Sequence, residues 1–330
     1  MNRWSARAFF CLVGLLALPW VVPAPLVYRA GEGWTYESVG GGKWQRARAK
    51  DQLEVAQKAF DKKDYGLAMK AARRTVKRWP LSDSAPQAQY LVGRSYEAKG
   101  NDERAFREYQ TLVTKYPKVS NYQEVLHRQF TIANRFLGGQ WFKLWGYIPF
   151  FPSMERTVEM YGKLINNGPY SEVAPQAQLN IGAAREKQKD FPLAVKAYEK
   201  AADRYYEQKD VSAAARFKQG MAFNKQARKA EYDQGAASQA IDTFTAFIAL
   251  FPDDARVDEA RKIIDSLRLE QARGSFSIAR FYEKSKRWDG ALVYYNDVVN
   301  KAPESKFAQE AKKRIEVLKQ RAQTTKVAQK

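Results

Sequence analysis

Residues 93–117 read GRSYEAKGNDERAFREYQTLVTKYP, and the spacing inside this stretch sets the architecture of the whole chain. Ala105 is followed four positions on by Tyr109 and twelve positions on by Pro117, and Gly93 and Tyr96 precede it by twelve and nine. The interval recurs at Ala68, Ala72, Pro80; at Thr157, Tyr161, Pro169; and at Ala194, Tyr198, Tyr206. It appears again at Ala240, Phe244, Pro252 and at Ala291, Tyr295, Pro303. Four of the six triplets match fully and two carry one replacement each. Self-similarity on this scale marks a repeat architecture rather than a globular catalytic core.

The spacing has a mechanical cause. A small residue lets two antiparallel helices approach, the residue one turn later fills the groove between them, and proline stops the helix. Gly93, Tyr96, Ala105, Tyr109 and Pro117 together form the signature of the tetratricopeptide unit of about 34 residues. The frame returns at Gly182, Ala194, Tyr198 and Ala201, and at Ala279, Tyr282, Ala291, Tyr295 and Pro303. The expected fold is an all-α, tetratricopeptide-type helical-repeat solenoid of about five to six helix pairs. Hydrophobic content of 45% with 13% aromatics excludes wholesale disorder.

Arg3 and Arg7 precede an uncharged stretch from Ala8 to Val27, which reads as an export or membrane-insertion signal. Residues 1–30 are therefore expected to be a signal peptide or an amino-terminal membrane anchor, with cleavage favoured near Ala24. Residues 31–48 read as a Gly-rich tether, 49–318 as the repeat array, and 319–330 as a basic, mobile tail. Gly42-Lys43 is not a phosphate-binding loop, because Glu37 and Trp44 stand where Gly and Ser or Thr are required. The sole cysteine, Cys11, lies inside the apolar segment, so the exported body holds no disulfide.

Beyond the repeat spacing, the chain carries Ala59-Phe60 with Asp64-Tyr65, Trp79-Pro80-Leu81-Ser82, and Gln129-Phe130-Thr131-Ile132-Ala133 followed by an insertion. It carries also Phe251-Pro252-Asp253-Asp254, Ala279-Arg280-Phe281-Tyr282, and Tyr294-Tyr295 running to Pro303-Glu304-Ser305. In these stretches residues 51 to about 317 resemble the BamD/YfiO-type outer-membrane assembly lipoproteins. The resemblance implies a periplasmic scaffold that docks onto a β-barrel insertase and helps deliver unfolded outer-membrane proteins. The chain departs from it in one respect: Ala8-Phe9-Phe10 before Cys11 is not the box that lipidation requires.

Three groups of residues are candidate interaction sites. Lys70, Arg73, Arg74, Lys77 and Arg78 fall on one helical face, with Leu67, Ala71 and Val76 expected toward the core. This stripe suits an acidic partner, an anionic membrane surface, or plain solvation. The insertion 137–152 carries Trp141, Phe142, Trp145, Tyr147, Phe150 and Phe151, which either dock onto a partner or fold back onto the repeats. The concave face of such arrays is lined by first helices at intervals of three, four and three residues. That frame selects Lys50 and Leu53, Tyr90 and Arg94, Phe130 and Asn134, and Phe276 and Arg280. An aromatic and basic lining fits an extended peptide with apolar side chains, or one ending in a carboxylate.

A net charge of +20 favours polyanionic surroundings, and the export signal argues against nucleic acid. Catalysis is not expected. His127 is the only histidine and reads as a surface residue, and the body has no thiolate and no metal-ligand cluster, so no cofactor is expected. Asp253 and Asp254 follow a helix-ending proline and read as caps. Two readings of function remain open: an adaptor in outer-membrane β-barrel protein assembly, or an inner-membrane-anchored periplasmic scaffold for envelope or cell-wall machinery.

Overall fold

The structure, a computed structural model, describes residues 26–29, 33–36, 44–144, 148–229 and 234–328. It divides into two compact units, Met1–Tyr122 and Gln123–Lys330. The first contains an antiparallel hairpin, β1 (Leu26–Arg29) and β2 (Gly33–Tyr36), then α1 (Ala49–Asp61), α2 (Tyr65–Arg78), α3 (Ser84–Ala98) and α4 (Asp102–Lys115). The second contains α5 (Tyr122–Leu137), a hairpin of β3 (Phe142–Leu144) and β4 (Ile148–Phe151), α6 (Met154–Asn167), α7 (Ala174–Lys187) and α8 (Phe191–Arg204). It continues through α9 (Lys209–Lys229), α10 (Gln234–Leu250), α11 (Val257–Lys284), α12 (Trp288–Lys301) and α13 (Lys306–Ala328). The fold is all-α and of tetratricopeptide type, with the even-numbered helices from α2 to α12 carrying the six triplets.

The first two residues of every triplet are fully buried, Thr157 included. Each even-numbered helix ends two residues before the third member, as α4 does at Lys115 ahead of Pro117. Tyr206 stands in that place after α8, and the helix still stops, so proline is sufficient there but not necessary. The core of the second unit is segmented by repeat: one cluster gathers around Tyr198, another around Phe244 and Phe247, a third around Tyr295. Such segmentation is expected where each repeat buries its apolar face mainly against its neighbours.

Glycine is required where the paired helices touch most closely. A Cβ on Gly93 would fall 2.5 Å from the Tyr109 ring, and one on Gly182 would fall 2.3 Å from the Tyr198 ring. The same tyrosines tie the pair together by their hydroxyls. Tyr109 donates to Glu97 at 2.7 Å, Tyr198 to Glu186 at 2.9 Å and Tyr295 to Glu283 at 2.7 Å. Glu186 and Glu283 also pair with Lys225 and Arg314, cations of the following helix pair or final helix. Second helices start at polar caps: Asp64, Asn101, Ser153 and Asp190 each accept the backbone N–H three residues on.

Several expectations are corrected. Leu26 and Val27, counted with the apolar segment, belong to β1, and residues 33–36 of the tether form β2. The remainder of the segment, residues 1–25, and Gly42-Lys43 lie outside the described residues. No described helix is long and apolar enough to cross a membrane. On α2 the buried face is Ala68, Ala71, Ala72 and Thr75, whereas Leu67 and Val76 are only half-buried. Residues 319–328, read as a separate tail, continue α13. Their Gln, Arg, Ala and Lys content propagates a helix already begun. Arg321 lies 5.8 Å from the Trp288 ring. Deleting residues 319–330 is expected to lower stability by no more than about 1 kcal/mol, the scale of an exposed cation–π contact. Circular dichroism melting of the truncated chain checks this.

Candidate functional site

Lys50 and Leu53 from α1 and Tyr90 and Arg94 from α3 come together around one cavity of about 710 Å³ in the first unit. Phe60, Leu91, Gln57 and Gln87 complete much of its wall, with Glu54, Asp83 and Ser84 at polar positions. The guanidinium of Arg94 lies across two rings, 5.5 Å from the Phe60 centroid and 5.8 Å from that of Tyr90. Its Nη1 donates to the Tyr90 hydroxyl at 3.2 Å. Tyr90 is in turn braced by Tyr109, with ring centroids 6.0 Å apart. A cation is thus spread on an aromatic floor, and a guanidinium with five N–H donors has capacity left for a carboxylate. Glu54 is drawn toward Lys58 at 2.6 Å. That hydrogen bond, and then the charges of Lys58, Lys50 and Arg46, hold its carboxyl below the usual range.

Gln57 and Phe60 were missed from the sequence. They continue the interval of three, four and three residues from Lys50 and Leu53, so completing the frame in the first repeat finds both.

The other frame positions are placed differently. Asn134 is half-buried, and its Oδ1 accepts from the Tyr161 hydroxyl at 2.5 Å and from Asn180 Nδ2 at 2.8 Å. Phe130 packs with its ring centroid 6.1 Å from that of Tyr161. The buried phenol of Tyr161 needs an acceptor, and this need ties Asn134 into the interior. Burial raises the Tyr161 pKa far above the ordinary tyrosine value. Phe276 and Arg280 line a separate cavity of about 530 Å³ with Glu283, Trp288, Tyr295 and Arg314.

The basic stripe of α2 does not remain one uniform solvated face. Arg73 crosses to Tyr96 and Glu108, Lys70 lies 5.3 Å from the Trp44 ring, and Arg78 lies 5.4 Å from that of Trp79. Lys77 is exposed. The Nε of Arg74 is buried without a hydrogen-bond partner, and burial followed by the Arg78 charge lowers its pKa.

The aromatic insertion is a hairpin. Phe142 is buried and stacks on Phe136 with centroids 4.1 Å apart, while Arg156 lies over the rings of Phe142 and Phe151. Trp141 and Phe151 remain 52% and 38% exposed. Trp145 and Tyr147 lie outside the described residues, as does the side chain of Phe150. His127 is exposed, with Nε2 3.3 Å from Glu172. Asp254 takes the backbone N–H and the guanidinium of Arg256 ahead of α11, and the Arg256 hydrogen bond holds its carboxyl below the usual range. Among the described residues no group of three or more His, Cys, Asp or Glu side chains is arranged to hold a metal ion.

No curated protein matches the chain. Among solved structures, the C-terminal part of a tetratricopeptide-repeat protein from Cytophaga hutchinsonii is 15% identical, covering 80% of this chain and 87% of its own with a TM-score of 0.37. A tetratricopeptide-repeat protein from Parabacteroides merdae is 12% identical, covering 82% and 98% with a TM-score of 0.34. MamA from Desulfovibrio magneticus is 14% identical, covering 63% and 97% with a TM-score of 0.32. A tetratricopeptide-repeat family model matches residues 87–118, the stretch around Gly93 and Pro117. A second model, YfiO, described as an outer membrane lipoprotein, matches residues 153–329, more than half of the chain. With its repeat frame visible in both sequence and helix ends, the chain belongs to the YfiO family of outer membrane lipoproteins.

Proposed function

We propose that this chain is a non-enzymatic protein-interaction scaffold of the cell envelope, acting as an adaptor in outer-membrane β-barrel protein assembly. In this reading the α1–α3 groove receives an extended segment of an unfolded client, and a β-barrel insertase is the stable partner. The observation that carries it is the groove itself: Leu53, Phe60, Tyr90 and Leu91 offer apolar contact, and Arg94 is held on Phe60 and Tyr90 for a carboxylate. Family membership supports the envelope location.

Fluorescence anisotropy tests the groove, using a labelled peptide with alternating apolar side chains and a free terminal carboxylate. Arg94→Glu is expected to weaken binding by about tenfold to a hundredfold, the worth of a charge-assisted hydrogen bond. Amidation of the peptide is expected to have a comparable effect. Equal binding of the free and amidated peptides sinks the carboxylate assignment.

The sole Cys11, near the start of the apolar segment and without a lipidation box, favours a second reading as an inner-membrane-anchored scaffold. A pull-down from envelope membranes, with the mature amino terminus sequenced, separates the two. A processed terminus with a co-isolated β-barrel insertase supports the adaptor. An intact Met1 with no barrel partner supports the anchored scaffold.

A further inference from the structure

The first unit carries another recess, of about 420 Å³, built from residues that take no part in the groove. Its walls are Arg73 of α2, Tyr96 of α3, and Arg104, Arg107, Glu108 and Thr111 of α4. Two guanidinium groups share one aromatic ring, Arg73 at 5.2 Å and Arg104 at 5.8 Å from the Tyr96 centroid. Arg73 also donates to the Tyr96 hydroxyl at 2.6 Å and to Glu108 Oε1 at 2.9 Å. Glu108 is the one carboxylate among the lining residues, and its Oε2 already accepts from Gln89 Nε2 at 2.8 Å. Three cations and a single anion therefore line the recess, and that anion is engaged through both oxygens.

Like charges gathered around one recess repel, and an anion taken up between them relieves that repulsion. Exposed Lys70, Lys77 and Arg78 on α2 extend the same positive field. We propose that this recess binds a phosphate group. The planar guanidinium fork matches phosphate oxygens two at a time, which an ammonium cannot do. Tyr96 acts as a positioning residue that fixes two of the three forks. The phosphate belongs either to a small soluble compound or to a lipid headgroup, since both present the same oxygens.

The test uses the full-length chain in neutral-detergent micelles, titrated calorimetrically with pyrophosphate. A parallel titration uses phosphatidylglycerol doped into the micelles, with undoped, phosphate-free micelles as the reference. Saturable binding of at least one phosphate probe, absent for the undoped micelles, is expected. Arg107→Gln, at an exposed position that leaves the fold intact, is expected to weaken it roughly tenfold, and Arg104→Gln added to it further still. Lys115→Gln with Lys118→Gln removes the same charge outside the recess and is expected to leave binding unchanged. Pyrophosphate binding assigns a soluble source, and phosphatidylglycerol binding without it assigns a lipid headgroup. Absence of saturable binding to both probes overturns the site. So does equal weakening by the two lysine substitutions, which marks general charge attraction only.

Discussion

Tyr198→Ala is expected to destabilise the second unit by about 3–5 kcal/mol, the range for emptying a buried aromatic position. Tyr198 is fully buried within the cluster of Leu179, Ala194, Val195, Ala201 and Ala215, and its ring fills the space that Gly182 leaves open. Tyr198→Phe keeps the ring and loses only the hydroxyl donated to Glu186, so its cost is expected to be about 1 kcal/mol. Hydrogen exchange resolved along the chain checks both, and the loss should centre on α7 to α9, because repeat proteins couple mainly through neighbours. An Ala variant no weaker than the Phe variant refutes the role given to the ring. The phenol also carries a pH signature. Burial, and then the Glu186 charge, raise its pKa well above the ordinary value of about 10. Folded chains thus hold this proton where unfolded chains release it. The contribution is intact below about pH 10 and is lost as pH rises further.

A comparable loss, about 3–5 kcal/mol, is expected in the first unit for Trp79→Ala. Trp79 closes α2, where its backbone N–H bonds to Thr75, and its side chain is buried. Its indole Nε1 has no hydrogen-bond partner. Trp79→Phe therefore deletes a donor that costs about 1–3 kcal/mol to bury unmet, which offsets part of the lost volume. Urea unfolding midpoints should place the Phe variant much nearer the parent than the Ala variant. Equal losses for the two would mean that the indole N–H contributes to stability.

The six triplets made the helical pairs legible because helix spacing and helix ending are local matters. Ala194 and Tyr198 lie one turn apart, and both must face the same neighbour. The hairpin at 142–151 was not legible. Its aromatic run carries no strand alternation, and what fixes it is Phe142 reaching Phe136. The lining of the first-unit cavity was legible in part: the frame selected Lys50, Leu53, Tyr90 and Arg94, which share that cavity, and stopping short of its full length left out Gln57 and Phe60.

Helix pairs, helix ends and the buried face of each second helix follow from intervals of four and twelve residues. Residues so close along the chain keep the same geometry in every repeat. Tertiary structure alone decided which polar side chains are consumed by the fold. Arg73 finds Glu108 on another helix, and Asn134 finds Asn180, partners separated by 35 and 46 positions. A half-buried polar group takes whichever partner its neighbouring helix brings within reach. No local spacing encodes that choice, so Asn134 and Arg94, equivalent in the repeat frame, ended with different roles.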